Sequence, residues 1–132
     1  MAGMAGVVDT SFLFTVLHEE ADGREDAVAT LHKYLGVEIP PAVLAELEIL
    51  VRKRMGLAFA RQMIPDFLRR NPHVGVMDAD LHPDALAIWQ RHGRLSYTDC
   101  HAIAGALLLG DDLITLDRRQ EAVWKEERKR EV

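Results

Sequence analysis

A single cysteine, Cys100, stands in this 132-residue chain, and no CxxC pair. Neither a disulfide framework within the chain nor a cysteine-based zinc site is therefore expected, and a reducing, intracellular setting follows. No apolar run approaches the roughly 18 residues that a membrane span needs. The small, apolar N-terminus has no basic segment before it meets Asp9, so no secretory signal is expected and the cytoplasm is the expected location. Lysine is missing from position 54 to position 124. There is no internal repeat, low-complexity tract or linker, which leaves one domain over residues 1–132.

With 48% hydrophobic residues, a chain of this length can bury a core without disulfides or structural metal. The net charge of -5 is unevenly spread. Residues 1–50 hold nine acidic and two basic residues, whereas residues 51–70 hold Arg52, Lys53, Arg54, Arg61, Arg69 and Arg70 against Asp66 alone. An acidic chain with one concentrated basic segment can hold a phosphate backbone on that segment, if a cation neutralises the rest. Taken alone, the same residues also read as solvated helix faces.

Short β-like runs alternate with helical ones, the pattern of a mostly parallel sheet between helical layers. Strands are expected at 6–8, 37–39, 74–77 and 113–116. Helices are expected at 11–20, 27–35, 41–54, 57–70 (kinked or interrupted at Pro65), 83–92 and 96–109, with a charged, helical tail from 118. The fold class is α/β, a three-layer α/β/α sandwich.

Four acids fall where apolar segments meet turns or helix starts. Asp9 closes Val7-Val8 and Asp117 closes Leu113-Ile114-Thr115-Leu116. Both belong at the carboxyl ends of strands, where open parallel sheets bind ligands. Asp99 closes Ser96-x-x-Asp99, a capping-box spacing, and heads the apolar face Ala102, Ile103, Ala106 and Leu107. Glu46 has Ala42, Val43, Ile49 and Leu50 as its helical neighbours, while Glu48 has Arg52 within one turn. Each acid has an ordinary reading, as a helix cap or a border residue. Gathered together they would raise one another's pKa unless a cation intervened.

Those phrases together, Val8-Asp9-Thr10-Ser11, Val43-Leu44-Ala45-Glu46-Leu47, Tyr97-Thr98-Asp99-Cys100-His101-Ala102 and Leu113-Ile114-Thr115-Leu116-Asp117, resemble the PIN-domain family, specifically the VapC toxins of toxin–antitoxin pairs. The likeness runs from residue 6 to about 121. It implies a metal-dependent ribonuclease with Mg²⁺ or Mn²⁺ held by Asp9, Asp99 and Asp117, and with Glu46 as the fourth catalytic carboxylate. Asp9 and Asp99 are the first choices for direct ligands. Thr10, Ser11 and Thr115 are candidates for orienting those carboxylates. Arg52, Lys53 and Arg54 are candidates for the RNA backbone. A homodimer and a small antitoxin partner are implied as well. The sequence departs from the pattern at its C-terminus, where many members carry a further strand and residues 121–132 offer mainly charge.

The six histidines show no paired ligand spacing and read as packing or surface residues. Cys100 lacks a supporting dyad and reads as a small buried thiol. Trp89 and Trp124 read as core or partner contacts. One rival is a receiver- or phosphatase-type α/β domain, but it would want Asp-x-Asp after the first strand, where Ser11 stands, or a late lysine. Another is a catalytically silent PIN-like module that binds RNA or protein and keeps the acids as structural groups.

Overall fold

Four short strands lie parallel in one sheet in the computed structural model, which describes residues 5–130. They are β1 (Ala5–Val8), β2 (Gly36–Ile39), β3 (Val74–Val76) and β4 (Asp112–Ile114), in the order β3-β2-β1-β4. β1 is central, with Val7 paired to Glu38 on one side and to Leu113 on the other. Seven helices complete this region: α1 (Thr10–Leu17), α2 (Arg24–Leu31), α3 (Pro41–Met55), α4 (Leu57–Arg70), α5 (His82–Arg91), α6 (Tyr97–Leu109) and α7 (Arg118–Arg130). The sheet lies between helical layers, the expected α/β/α class. No helix among the described residues is long and apolar enough to cross a membrane.

Strand alternation sets which face each residue serves. Val7 and Val8 in β1 and Val37 and Ile39 in β2 are fully or almost fully buried, as expected for a parallel sheet covered on both sides. On one face α6 approaches so closely that Gly105 leaves no spare room. A Cβ there would lie 3.1 Å from the Met77 sulfur and 3.3 Å from Val7. On the other face Gly6 admits the side chains of Ile114 and Tyr34, and a Cβ would lie 2.5 Å from Ile114. α3 packs against both α1 and α6, burying Val43, Leu47 and Val51 at successive turns.

Several boundaries differ from the sequence reading. α1 ends at Leu17 rather than 20, because His18, whose N–H makes the last helical bond to the Phe14 carbonyl, is itself extended. α2 starts at Arg24 and ends at Leu31, not 27–35. Gly23, at φ 78°, turns the chain into it, and Leu35 is 69% exposed. α4 runs unbroken through Pro65, whose ring lies on the exposed side. β4 stops at Ile114, since the Thr115 hydroxyl accepts the Asp117 N–H at 3.0 Å and turns the chain. The charged tail is an ordered helix to Arg130. Trp124 is buried in the core with the Arg128 guanidinium 4.5 Å from its ring centre. Trp89 is half exposed and meets Tyr97 edge-on.

Candidate active site

Asp9 leaves β1 and enters α1, a transition that its side chain makes possible. It caps α1 by accepting from the Phe12 N–H at 2.9 Å. The Ser11 hydroxyl donates to it at 3.0 Å, and the Thr115 hydroxyl donates to its other oxygen. Ser11 and Thr115 thus both donate to the carboxylate. Thr10 does not: its hydroxyl is buried without a hydrogen-bond partner among the described residues.

Only 2% of Asp9 is exposed. Burial pushes its carboxyl up to about 6, against the three donors that favour the charged form, and the nearby Asp99 adds to the rise. No basic side chain pairs with it among the described residues.

Asp99 sits in the first turn of α6. The expected box is present with aspartate in place of the usual glutamate: the Asp99 N–H donates to Ser96 Oγ at 3.0 Å, and the Ser96 N–H donates to Asp99 Oδ2 at 3.3 Å. Its carboxyl is also raised, first by burial and then by the charges of Glu46 and Asp117. Asp99 is therefore the acid whose charge state the other three bear on or feel. It is within electrostatic reach of Asp9, Glu46 and Asp117.

Glu46 reaches this place from the second turn of α3 and is half-buried, whereas Glu48 pairs with Arg52 at 2.9 Å on the solvent side. Asp117 caps α7, accepting from the Arg119 N–H at 2.9 Å and the Gln120 N–H at 3.3 Å. All four acids named from the sequence are thus at the carboxyl end of the sheet or on the helices that leave it.

One residue was missed. Gln120 is fully buried, and its side-chain amide donates to the Asp99 carbonyl at 3.3 Å. It therefore ties the helix that carries Asp117 to the helix that carries Asp99. The signal was present as Asp117-x-x-Gln120, a capping-box spacing at the head of α7. What the spacing does not say is that Thr115 takes the Asp117 N–H and frees the glutamine to cross to α6.

The donor set is all oxygen, which suits a hard divalent cation such as Mg²⁺ or Mn²⁺. Among the described residues no three His, Cys, Asp or Glu side chains are grouped to hold an ion by themselves. Mg²⁺ keeps several waters and commonly takes only one or two carboxylates directly, so two acids suffice. Cys100, fully buried beside Asp99, has its thiol pushed up to about 11 by burial and by the Asp99 charge. It is a packing residue and no nucleophile. Arg52, Lys53 and Arg54 form the exposed last turn of α3, six to eight residues beyond Glu46. At a rise of about 1.5 Å per residue that is roughly 9–12 Å further along the helix.

Solved structures share this architecture. VapC20 of Mycobacterium tuberculosis, described as a Sarcin-Ricin loop cleaving toxin, superposes with a TM-score of 0.76 at 23% identity, over 89% of this chain and 93% of that one. VapBC2 of Rickettsia felis, bound to a DNA fragment from its promoter, gives 0.68 at 16% identity, over 91% and 93%. FitAB bound to a DNA fragment gives 0.62 at 17%, over 91% and 90%. Comparison with curated protein sequences finds no match. The family model of the PIN domain matches residues 6–126, nearly the whole of the described structure, and the chain belongs to the PIN-domain family.

Proposed function

We propose that this chain is a divalent-metal-dependent endoribonuclease, a single PIN-like domain over residues 1–132 and the toxin of a toxin–antitoxin pair. The observation that carries the reading is the buried Asp9 at the carboxyl end of the sheet, with no basic side chain paired to it among the described residues and with Asp99 near enough to raise it. Similarity in fold to VapC20, VapBC2 and FitAB supports the toxin assignment and an antitoxin partner; a cytoplasmic setting belongs to the same proposal. A homodimer is part of the same proposal.

Asp9 and Asp99 would hold the ion directly, with Asp117 acting through metal-bound water and Glu46 completing the catalytic set. Bound there, Mg²⁺ or Mn²⁺ offsets the charge that develops on the scissile phosphate and lowers the pKa of the attacking water. The chain's own residues prepare that step. Thr115 and Ser11 keep the Asp9 oxygens aimed, and the first turns of α1 and α6 add positive potential that favours the ionised acids. Arg52, Lys53 and Arg54 carry the RNA backbone.

A silent module is favoured by one specific observation: Asp9, Asp99 and Asp117 all cap helices and so have structural work of their own. Incubation of the pure protein with RNA decides between them. Cleavage with Mn²⁺ or Mg²⁺, abolished by EDTA and lowered about three orders of magnitude by Asp99→Asn, is the expected result. RNA left intact under all metal conditions, or cut equally by the variant, sinks the nuclease reading.

A further inference from the structure

We propose that the outer edge of β4 is a docking site for an extended, basic segment of a partner protein, which joins the sheet as a fifth strand. β4 ends the sheet, with β1 as its one neighbour among the described residues. The Asp9 N–H bonds the Ile114 carbonyl at 3.2 Å, and Asp112 and Ile114 alternate with Leu113. Residues 112 and 114 therefore spend their backbone groups on β1, while the N–H and C=O of Leu113 are directed away from it. An edge of this kind is a ready template for another extended chain.

The ground beside the edge says what kind of chain fits. A groove of about 420 Å³ runs along β4, with Phe12, Ala27 and Ile114 in its floor and Asp22, Asp26 and Glu121 on its rim. Leu116, 52% exposed, closes one end. No basic side chain lines it. Asp22 and Asp26 have no ion-pair partner among the described residues, and Glu121 meets only the exposed Lys125. Asp111 and Asp112 add two more acids at the start of the strand.

This charge decides between two occupants. A second copy pairing β4 against β4 would bring the same acids face to face, which repels. The acids that keep copies apart attract a strand with alternating basic and apolar side chains, the apolar ones entering the groove. The groove reaches Thr115, which holds Asp9, but Asp99 does not line it, so the Asp99→Asn protein is expected to bind such a strand as the native chain does.

A fluorescein-labelled octapeptide of alternating arginine and valine, titrated into the protein and followed by anisotropy, tests this. Two further peptides carry N-methyl groups on one or the other alternate set of residues. One set is expected to bind at least about tenfold more weakly than the parent, because it loses the ladder hydrogen bonds, and the other to bind like the parent. Asp22→Asn with Asp26→Asn is expected to weaken the parent about tenfold. The Leu113 amide should exchange with solvent more slowly when the peptide is present. Equal binding by all three peptides would mean simple charge attraction and overturns the proposal. An unchanged Leu113 exchange rate overturns it as well, as does a Leu113 amide already protected in a dimer before any peptide is added.

Discussion

Asp9 and Glu127 are both almost completely buried, 2% and 3% exposed, and they have opposite fates. Glu127, on α7, is clasped by Arg91 at 2.5 and 3.0 Å and by His92 at 2.8 Å from the end of α5. Its carboxyl is lowered, first by the Arg91 hydrogen bonds. Asp9 has hydroxyl and backbone donors but no cation, and burial drives it up. This chain does pair a buried carboxylate where the need is structural. Where it leaves one unpaired, burial raises the carboxyl instead, and under the proposed function a bound cation would supply the missing charge.

The contrast can be broken by removing either member. Glu127→Ala leaves Arg91 and His92 facing an emptied site and detaches α7 from α5. Because Arg91 is 38% exposed, the loss is discounted from the fully buried case to about 2–3 kcal/mol. A fall in urea midpoint at pH 7 measures it, and an unchanged midpoint would deny the clasp its structural role.

Asp9→Asn should act in the opposite direction in metal-free protein. A raised acid binds its proton more tightly in the folded state. Its contribution is thus most favourable at low pH and is lost as pH rises from about 4 through about 6. Above that range the ionised Asp9 costs up to about 3 kcal/mol, from the difference between 3.8 and about 6. Asparagine still caps α1 and lacks this penalty, so the variant should be more stable at pH 8 and level with the native chain near pH 4. Glu127 has the opposite sign, its stabilisation fading as pH falls through the carboxylate range. Thermal melts at pH 4, 6 and 8 read both trends, and a destabilised Asp9→Asn at pH 8 would contradict the account.

The smallest expected effect concerns Gln120, which joins the acidic end to α7. Gln120→Leu keeps the buried volume but removes the bond to Asp99. Under the proposed function Mn²⁺ affinity should fall about tenfold, because the bond fixes the main chain that carries Asp99, with the melting temperature of metal-free protein little changed. Equal Mn²⁺ titration curves would show that Gln120 only packs.

Much of this was legible in the chain. Ser96-x-x-Asp99 and Pro40-Pro41 act through bonds within one turn, so α6 and α3 begin where expected. Val7-Val8-Asp9 marks a buried strand meeting a cap for the same local reason. α2 was misplaced because Ala27, Val28, Leu31 and Leu35 suggest a helical stripe, while the start is set by the left-handed turn at Gly23 and Leu35 stays in solvent. Glu46 looked odd among apolar neighbours but gave no direction, and α3 aims it only by packing against α1 and α6 together.

By itself the sequence determined which residues cap helices, which strands are buried and that Asp9, Asp99 and Asp117 stand at strand ends or helix starts, since those depend on contacts a few residues apart. The tertiary structure alone decided that Asp99 feels the charges of Glu46 and Asp117, that Thr115 crosses 106 positions to hold Asp9, and that Gln120 joins α7 to α6. The strand order β3-β2-β1-β4 brings β1 and β4 side by side, and no local pattern carries that pairing because it closes a loop of about a hundred residues.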